Sequence, residues 1–204
     1  SYDGASHQAI TDLAFVRAIP NMTVITVADA VETKKAVFAI AEHQGPVYLR
    51  LSRAAAPVFY PEDMKFEIGR GITVREGGDV TIITTGTVLH KALAAAELLE
   101  AKGIQARVVD MHTIKPIDEE LIIECASETG AIVTVEEHSV CGGLGSAVAE
   151  VLAEHMPVPM TRIGATDFAE SGDYEQLLVK YGYGPESIAE KCEKVMKRKQ
   201  VQKK

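Results

Sequence analysis

Six consecutive residues, Asp3-Gly4-Ala5-Ser6-His7-Gln8, put a carboxylate, a flexible Gly-Ala turn, a hydroxyl, an imidazole and an amide into one short loop. Such a loop can present several hydrogen-bonding groups to a polyhydroxylated or anionic ligand. It would serve equally well as a polar cap on the helix that follows. Arg50 and Arg53 stand at the end of a run, Leu49-Arg50-Leu51-Ser52-Arg53, that reads as the close of a strand. Ligands in open α/β sheets gather at the carboxyl ends of parallel strands, and a guanidinium grips phosphate through two parallel bonds. A surface ion pair is the other role open to either arginine.

A second constellation, Glu136-Glu137-His138-Ser139-Val140-Cys141-Gly142-Gly143-Leu144-Gly145-Ser146, joins a strand to a helix. Its glycines permit a tight turn, and a helix N-terminus offers free amides to an anion. The run is not G-x-G-x-x-G and lacks a GK[ST] ending, and two adjacent carboxylates would repel a phosphate. A turn that packs the helix close on the sheet is the better expectation, with Glu136, Glu137 and His138 left for a partner surface. His112 is expected in a loop after a strand, and His43 and His90 on helices. There is no HExxH, no GxSxG and no paired-histidine metal spacing. Cys125, Cys141 and Cys192 are odd in number and form no CxxC, which argues against a disulfide framework and a zinc site. The residues offer a ligand-facing loop and arginines, without a complete catalytic set.

The elements that must position these groups alternate between β-rich runs and amphipathic helices, the rhythm of an α/β protein with a mainly parallel sheet. A helix before Pro20 follows the first loop. Residues 22–27 read as a buried strand, 31–43 as a helix capped by Asp29 with Glu32 at capping-box spacing, and 46–51 as a strand. From Ala54 to Gly71 no period is sustained, which reads as a linker. The rhythm restarts with a strand at 80–85, an Ala- and Leu-rich helix at 88–102 ended by Gly103, and a strand at 104–110. A helix capped by Asp118 comes next, then a strand at 131–135, a helix to about His155, a strand at 159–163 and two closing helices near 174–181 and from 185. The first 60 residues, two strands and two helices, are too few to bury a core comfortably. They look like the end of a larger domain, whereas residues beyond about 70 form a complete unit.

The chain has 204 residues and a formal net charge of −8, which makes nucleic acid an unsuitable partner. No apolar run approaches the roughly 20 residues of a membrane helix, and the first residues lack the flank and core of a signal peptide. A cytoplasmic protein is the default expectation. The basic tail from Lys197 to Lys204 suits a solvated helix end.

Read collinearly, Asp3-Gly4-Ala5-Ser6-His7-Gln8, Asp12-Leu13-Ala14, Arg17-Ala18-Ile19-Pro20-Asn21 and Ala28-Asp29-Ala30 resemble the latter half of a transketolase pyrimidine-binding domain. Thr113-Ile114-Lys115-Pro116-Ile117-Asp118 and Val135-Glu136-Glu137-His138 with Gly142-Gly143-Leu144-Gly145 are similar to the C-terminal domain of that family. The resemblance implies an α/β fold: a partial pyrimidine-binding domain at 1–60, a linker at 61–70 and a complete three-layer α/β/α C-terminal domain with a mainly parallel five-stranded sheet at 71–204. It implies an enzyme of the pentose phosphate pathway that uses thiamine diphosphate and Mg2+ to move a two-carbon ketol unit between sugar phosphates.

By position in the motifs, Asp3 would contact a substrate hydroxyl, His7 would hydrogen-bond near the reacting carbon and shuttle protons, and Arg53 would hold the substrate phosphate. The resemblance places the catalytic glutamate, the ring-gripping aromatics and the metal–diphosphate motif upstream of this chain. The expectation is therefore a C-terminal portion, natural or truncated, that binds no thiamine diphosphate by itself and is inactive alone. It would work with an N-terminal transketolase portion and as a homodimer. The alternatives are 1-deoxyxylulose-5-phosphate synthase, a 2-oxo-acid dehydrogenase β subunit, or a non-catalytic assembly or regulatory module. Ser6-His7-Gln8 favours transketolase over the synthase, where a second histidine usually replaces the glutamine.

Overall fold

The first strand, β1 (Thr23–Thr26), has four consecutive buried residues, the pattern of a strand covered on both faces. It pairs in parallel with β2 (Val47–Arg50), and the crossover between them is α2 (Ala30–Glu42). At the start of α2 the Asp29 carboxylate accepts the Glu32 amide at 2.8 Å, and the Glu32 carboxyl reaches back to the Ala28 amide at 2.6 Å. The Asp29 half of the expected capping box is thus present, while the return bond from Glu32 goes one residue beyond the Asp29 N-cap. A 3₁₀ turn, Ala5–His7, and α1 (Asp12–Ala18) precede β1. This computed structural model describes residues 2–202; Ser1 and the last two lysines of the basic tail lie outside the described residues.

The second unit contains β3 (Ile72–Arg75), β4 (Val80–Thr84), α3 (Leu89–Glu100), β5 (Ala106–Asp110), β6 (Thr113–Lys115), α4 (Glu119–Thr129), β7 (Ile132–Ser139), α5 (Leu144–His155), β8 (Met160–Ala165), α6 (Tyr174–Lys180) and α7 (Pro185–Gln202). Five of its strands form one sheet in the order β3-β5-β4-β7-β8, parallel except for β3. Along β4, Ile82 enters a core with Leu89 of α3 and Ile188 of α7. Its neighbour Ile83 enters the opposite core with Ile122 of α4 and Val148 of α5. The two-residue period of a strand therefore supplies both outer layers from one element, and the expected three-layer architecture is observed.

Two strands depart from the sequence reading. β3 lies just after the stretch without a period. β6, expected as loop, leaves the second unit and pairs antiparallel with β1, with Val24 opposite Lys115 and Ile25 opposite Thr113. The first unit thus completes a three-stranded sheet, β2-β1-β6, with a borrowed strand. Its α1 residues Leu13 and Val16 share a core with Ile122, Cys125 and Leu144 of the second unit. This borrowing is the physical answer to a segment too small to bury its own apolar faces.

β7 also runs four residues beyond the expected end, so Glu136, Glu137 and His138 belong to a strand. Its extension is held by the Ser139 amide, which donates to the Ile10 carbonyl at 2.9 Å, and by a Ser139–Ala165 pairing with β8. Residues 61–70 contain no helix or strand, but Phe66 and Ile68 pack on Ile25, Val27 and Ala36. That stretch is a fitted crossing between the units.

Candidate functional site

Between the two units lies a cavity of about 570 Å³. Asp3, His7 and Arg53 line it from the first unit, and Glu137, Tyr174 and Tyr183 from the second. All three residues singled out from the sequence therefore reach one space, although they come from different ends of the first unit.

The loop carrying Asp3 and His7 turns at Gly4, whose φ of 69° lies in the left-handed region. A Cβ at Gly4 would also approach Ser171 Oγ to 2.5 Å, so the position needs glycine on two counts. The His7 amide closes the turn on the Gly4 carbonyl at 3.1 Å, and Ser6 Oγ lies 2.9 Å from His7 Nδ1. Gln8 forms a reciprocal pair with Ala169, donating to its carbonyl at 3.0 Å and accepting from its amide at 2.8 Å.

The two arginines have different fates. Arg50 is consumed by the fold: it bonds the Asp12 carboxylate at 2.8 Å, the Ala9 carbonyl at 2.8 Å and the Glu137 carbonyl at 3.0 Å. Tyr48 donates to the same Asp12 oxygen at 2.9 Å. Arg53 is exposed over 78 % of its side chain and pairs with Asp3 at the cavity mouth. A pair that open to water is weakly held and can be exchanged for an incoming anion.

Glu137 forms part of the opposite wall. Thr87 Oγ1 donates to one of its oxygens at 2.5 Å and the Tyr174 hydroxyl to the other at 2.7 Å. Burial, reinforced by the Glu137 charge, holds the Tyr174 phenol well above its ordinary range. The sequence reading missed Tyr174 altogether. A strand ending at residue 135 leaves Glu137 to a partner surface, whereas β7 continues to Ser139. Carrying the strand alternation through Ser139 puts Glu136 and Glu137 on opposite faces and would have found it.

Glu136 and His138 are fully buried, which corrects their expected place on a partner surface. Glu136 accepts the Leu144 and Gly145 amides at 2.7 and 2.8 Å. The anion at the N-terminus of α5 is therefore the protein's own carboxylate. Burial pushes Glu136 up to about 7, against the pull of those amides and of Arg50 and Arg17. A Cβ at Gly143 would fall 2.0 Å from a Glu136 oxygen, so Gly143 serves the close packing expected of the turn. His138 Nδ1 lies 2.8 Å from the Ser139 carbonyl, while Nε2 accepts the Ala14 amide at 3.3 Å. Those partners define a neutral ring, and burial lowers its basicity in agreement.

His112 is also buried, stacked on Phe66 with centroids 4.1 Å apart, and burial pushes it down to about 4. His43 and His90 bond Thr23 and the Thr87 carbonyl. Cys125 and Cys192 are buried and Cys141 exposed, all as free thiols. Among the described residues no group of three or more His, Cys, Asp or Glu side chains is placed to hold a metal ion.

Comparison with known proteins bears on the whole arrangement. Residues 1–58 match the family model for the transketolase pyrimidine-binding domain, and residues 69–188 the model for the transketolase C-terminal domain. A Methanocaldococcus jannaschii protein named as a transketolase C-terminal section is 47 % identical over 200 residues, covering 96 % of this chain and 62 % of the relative. A protein from Phocaeicola vulgatus, named as one subunit of an apulose-4-phosphate transketolase, is 43 % identical over 187 residues, covering 91 % of this chain and 60 % of the relative. A solved structure described as a split gene transketolase, inactive beta4 tetramer, superposes with a TM-score of 0.90 at 51 % identity, covering 95 % of this chain and 64 % of the other. The chain thus spans about 62 % of the length of the first of these relatives.

Proposed function

The chain belongs to the transketolase family, and on that premise we propose that it is the C-terminal section or subunit of a thiamine-diphosphate enzyme that transfers a two-carbon ketol unit between sugar phosphates. The observation that carries this reading is the convergence of Asp3, His7 and Arg53 on one cavity.

Each residue's role follows from its setting. Arg53, exposed and among the described residues held only by Asp3, exchanges that carboxylate for the substrate phosphate, whose oxygens match the guanidinium fork. The exchange frees Asp3 to accept a bond from a sugar hydroxyl. His7, open to the cavity, donates to or takes a proton from the hydroxyl beside the reacting carbon.

The described residues do not by themselves fit thiamine diphosphate or Mg2+. They include no metal-holding cluster, and the glycine-rich helix start that could receive a diphosphate is filled by Glu136. The cofactor's ligands would therefore come from a complementary section, so the chain is inactive alone. Relatives named for a C-terminal section and a split gene support such a partner. Phe15 and Phe38, exposed to 69 % and 65 % on α1 and α2, offer apolar faces for that section or a second copy to cover. Three free thiols, two of them buried, suit a reducing cytoplasm.

The test is a coupled ketol-transfer assay with thiamine diphosphate and Mg2+, on the chain alone and mixed with its complementary section. Activity is expected in the mixture only, with loss on His7→Ala. Stoichiometric cofactor binding by the isolated chain, read by calorimetry, would overturn the division of the site. A complex that forms without activity would favour another thiamine enzyme or an assembly module.

A further inference from the structure

The Gln8–Ala169 pair joins the loop bearing Asp3 and His7 to the second unit through two bonds of opposite direction. A side-chain amide here meets the N–H and the carbonyl of one residue, donor to acceptor and acceptor to donor, so neither rotation nor sliding of Gln8 keeps both bonds. Ala169 belongs to residues 166–173, between β8 and α6. That stretch is anchored in turn: Glu170 is ion-paired with Lys180 of α6, and its amide donates to the Tyr181 hydroxyl at 3.3 Å. Ser171 sits against Gly4, leaving no space for a Cβ.

Downstream of Gln8 the chain is fixed as well, by Arg50 on the Ala9 carbonyl at 2.8 Å and by Ser139 on the Ile10 carbonyl. Upstream it is held more loosely. The Tyr2 hydroxyl donates to Asp173 at 3.4 Å in an exposed contact, among the described residues the His7 ring is bonded to Ser6 alone, and Asp3 is tied to an exposed arginine. Gln8 is therefore the side chain with the firmest hold next to His7 and Asp3.

We propose that Gln8 is a positioning residue, through which the C-terminal unit sets the placement of Asp3 and His7 at the cavity. The role of the second unit in this site is then geometric: residues 166–173 serve as a template for a loop they do not cover. For the transferred group this matters because an orientation error of about 1 Å at a reacting centre costs on the order of 100-fold in rate.

The inference rests on the ketol-transfer reading for its kinetic arm only, and its structural arm is read on the chain alone. Gln8→Leu removes both bonds at similar volume. Gln8→Glu keeps the acceptor for the Ala169 amide and sets a carboxylate against the Ala169 carbonyl, which guards against one variant failing to fold. Amide hydrogen exchange is expected to rise at least about 10-fold over residues 3–7 in both variants, with the cores of α3, α5 and β4 unchanged. In the assembled enzyme kcat should fall about 10-fold to 100-fold as His7 is misplaced, and any rise in KM from the displaced Asp3 should be equal for phosphorylated and unphosphorylated sugars, since Arg53 is untouched.

Unchanged exchange over residues 3–7 would overturn the proposal. So would raised exchange with wild-type kcat, because the loop would then move without consequence. If the wild-type mixture shows no ketol transfer, the reading of function fails and the catalytic role of Gln8 falls with it; the exchange arm still decides whether the clamp exists.

Discussion

The carboxyls of Glu32 and Asp110 are buried as neighbours across the boundary of the two units, one at the start of α2 and the other at the end of β5. Both are fully buried, and each has one oxygen without a hydrogen-bond partner among the described residues. Their other oxygens are used: Ala28 donates to Glu32, and the Tyr60 hydroxyl to Asp110 at 2.7 Å. Asp29, alongside, takes the Phe59 and Tyr60 amides at 2.7 and 2.8 Å. Two like charges so close cannot both persist in a dry site, so a shared proton satisfies both orphan oxygens with one bond.

That arrangement fixes a pH dependence. Burial raises both acids above the ordinary carboxylate range. The folded chain then keeps a proton that the unfolded chain releases near pH 4, so above that range the native state binds more protons. The pair's stabilisation is complete below about pH 4 and declines as pH rises through the raised folded values. His112 and His138 have the opposite sign: their folded values are lowered, so they weaken the fold only as pH falls below about 6.5. Urea unfolding from pH 7.5 to pH 9 therefore leaves the histidines out, and Glu136, which is also raised, contributes equally to the two chains compared. The wild-type chain should lose stability over that range. Glu32→Gln, a permanent stand-in for the protonated acid, should lose at least about 1 kcal/mol less. Parallel curves would show that the two carboxyls do not share a proton.

A second prediction concerns the borrowed strand. Lys115 of β6 donates to the Arg17 and Ile19 carbonyls at 2.8 and 2.7 Å, closing the end of α1 from the other unit. Lys115→Met keeps much of the stem and removes both bonds. It should destabilise the chain by about 1–3 kcal/mol, with exchange rising first in α1 and β1. A uniform rise over both units would mean that β6 does not bind the first unit separately.

How much of this was legible beforehand divides along one physical line. The helices announced themselves locally: Asp29, Asp118 and the apolar spacing of α3 act within one turn of themselves. The long strand runs at 23–26 and 80–84 did so through continuous burial. β6 and the last residues of β7 did not, because what makes them strands is a partner far away in sequence: β1 for Thr113–Lys115, and Ile10 and Ala165 for Ser139. The site divides in the same way. Asp3, His7 and Arg53 were visible as residue types in a motif. Glu137 needed only the strand alternation carried four residues further, Tyr174 reaches it only once the second unit is folded, and the Gln8–Ala169 pair exists only once the two units meet.

Third, the turn at 142–145 should resist side chains for a stated reason. Gly143→Ala would drive a methyl to 2.0 Å from the Glu136 carboxylate that caps α5. Displacing the carboxylate leaves a buried acid unpaired and two helix amides unsatisfied, a loss of about 2–4 kcal/mol by chemical denaturation. Gly78→Ala, where a Cβ meets nothing within 4 Å, is the matched control and should stay within about 0.5 kcal/mol of wild type.

Finally, Arg53 should separate recognition from folding. Its pair with Asp3 is exposed, so Arg53→Ala ought to change stability by less than about 0.5 kcal/mol. In the assembled enzyme the same substitution removes the phosphate ligand, and the KM for a phosphorylated acceptor should rise about 10-fold to 100-fold. Comparing each sugar phosphate with its unphosphorylated counterpart makes the test specific: the wild-type preference for phosphate should collapse in Arg53→Ala and survive in part in Arg53→Lys, a point charge without the fork. Asp3→Ala should act differently, weakening phosphorylated and unphosphorylated sugars alike, because its bond goes to a hydroxyl. If Arg53→Ala lowers turnover equally for both kinds of acceptor, the guanidinium is holding Asp3 in place, and the phosphate is bound elsewhere.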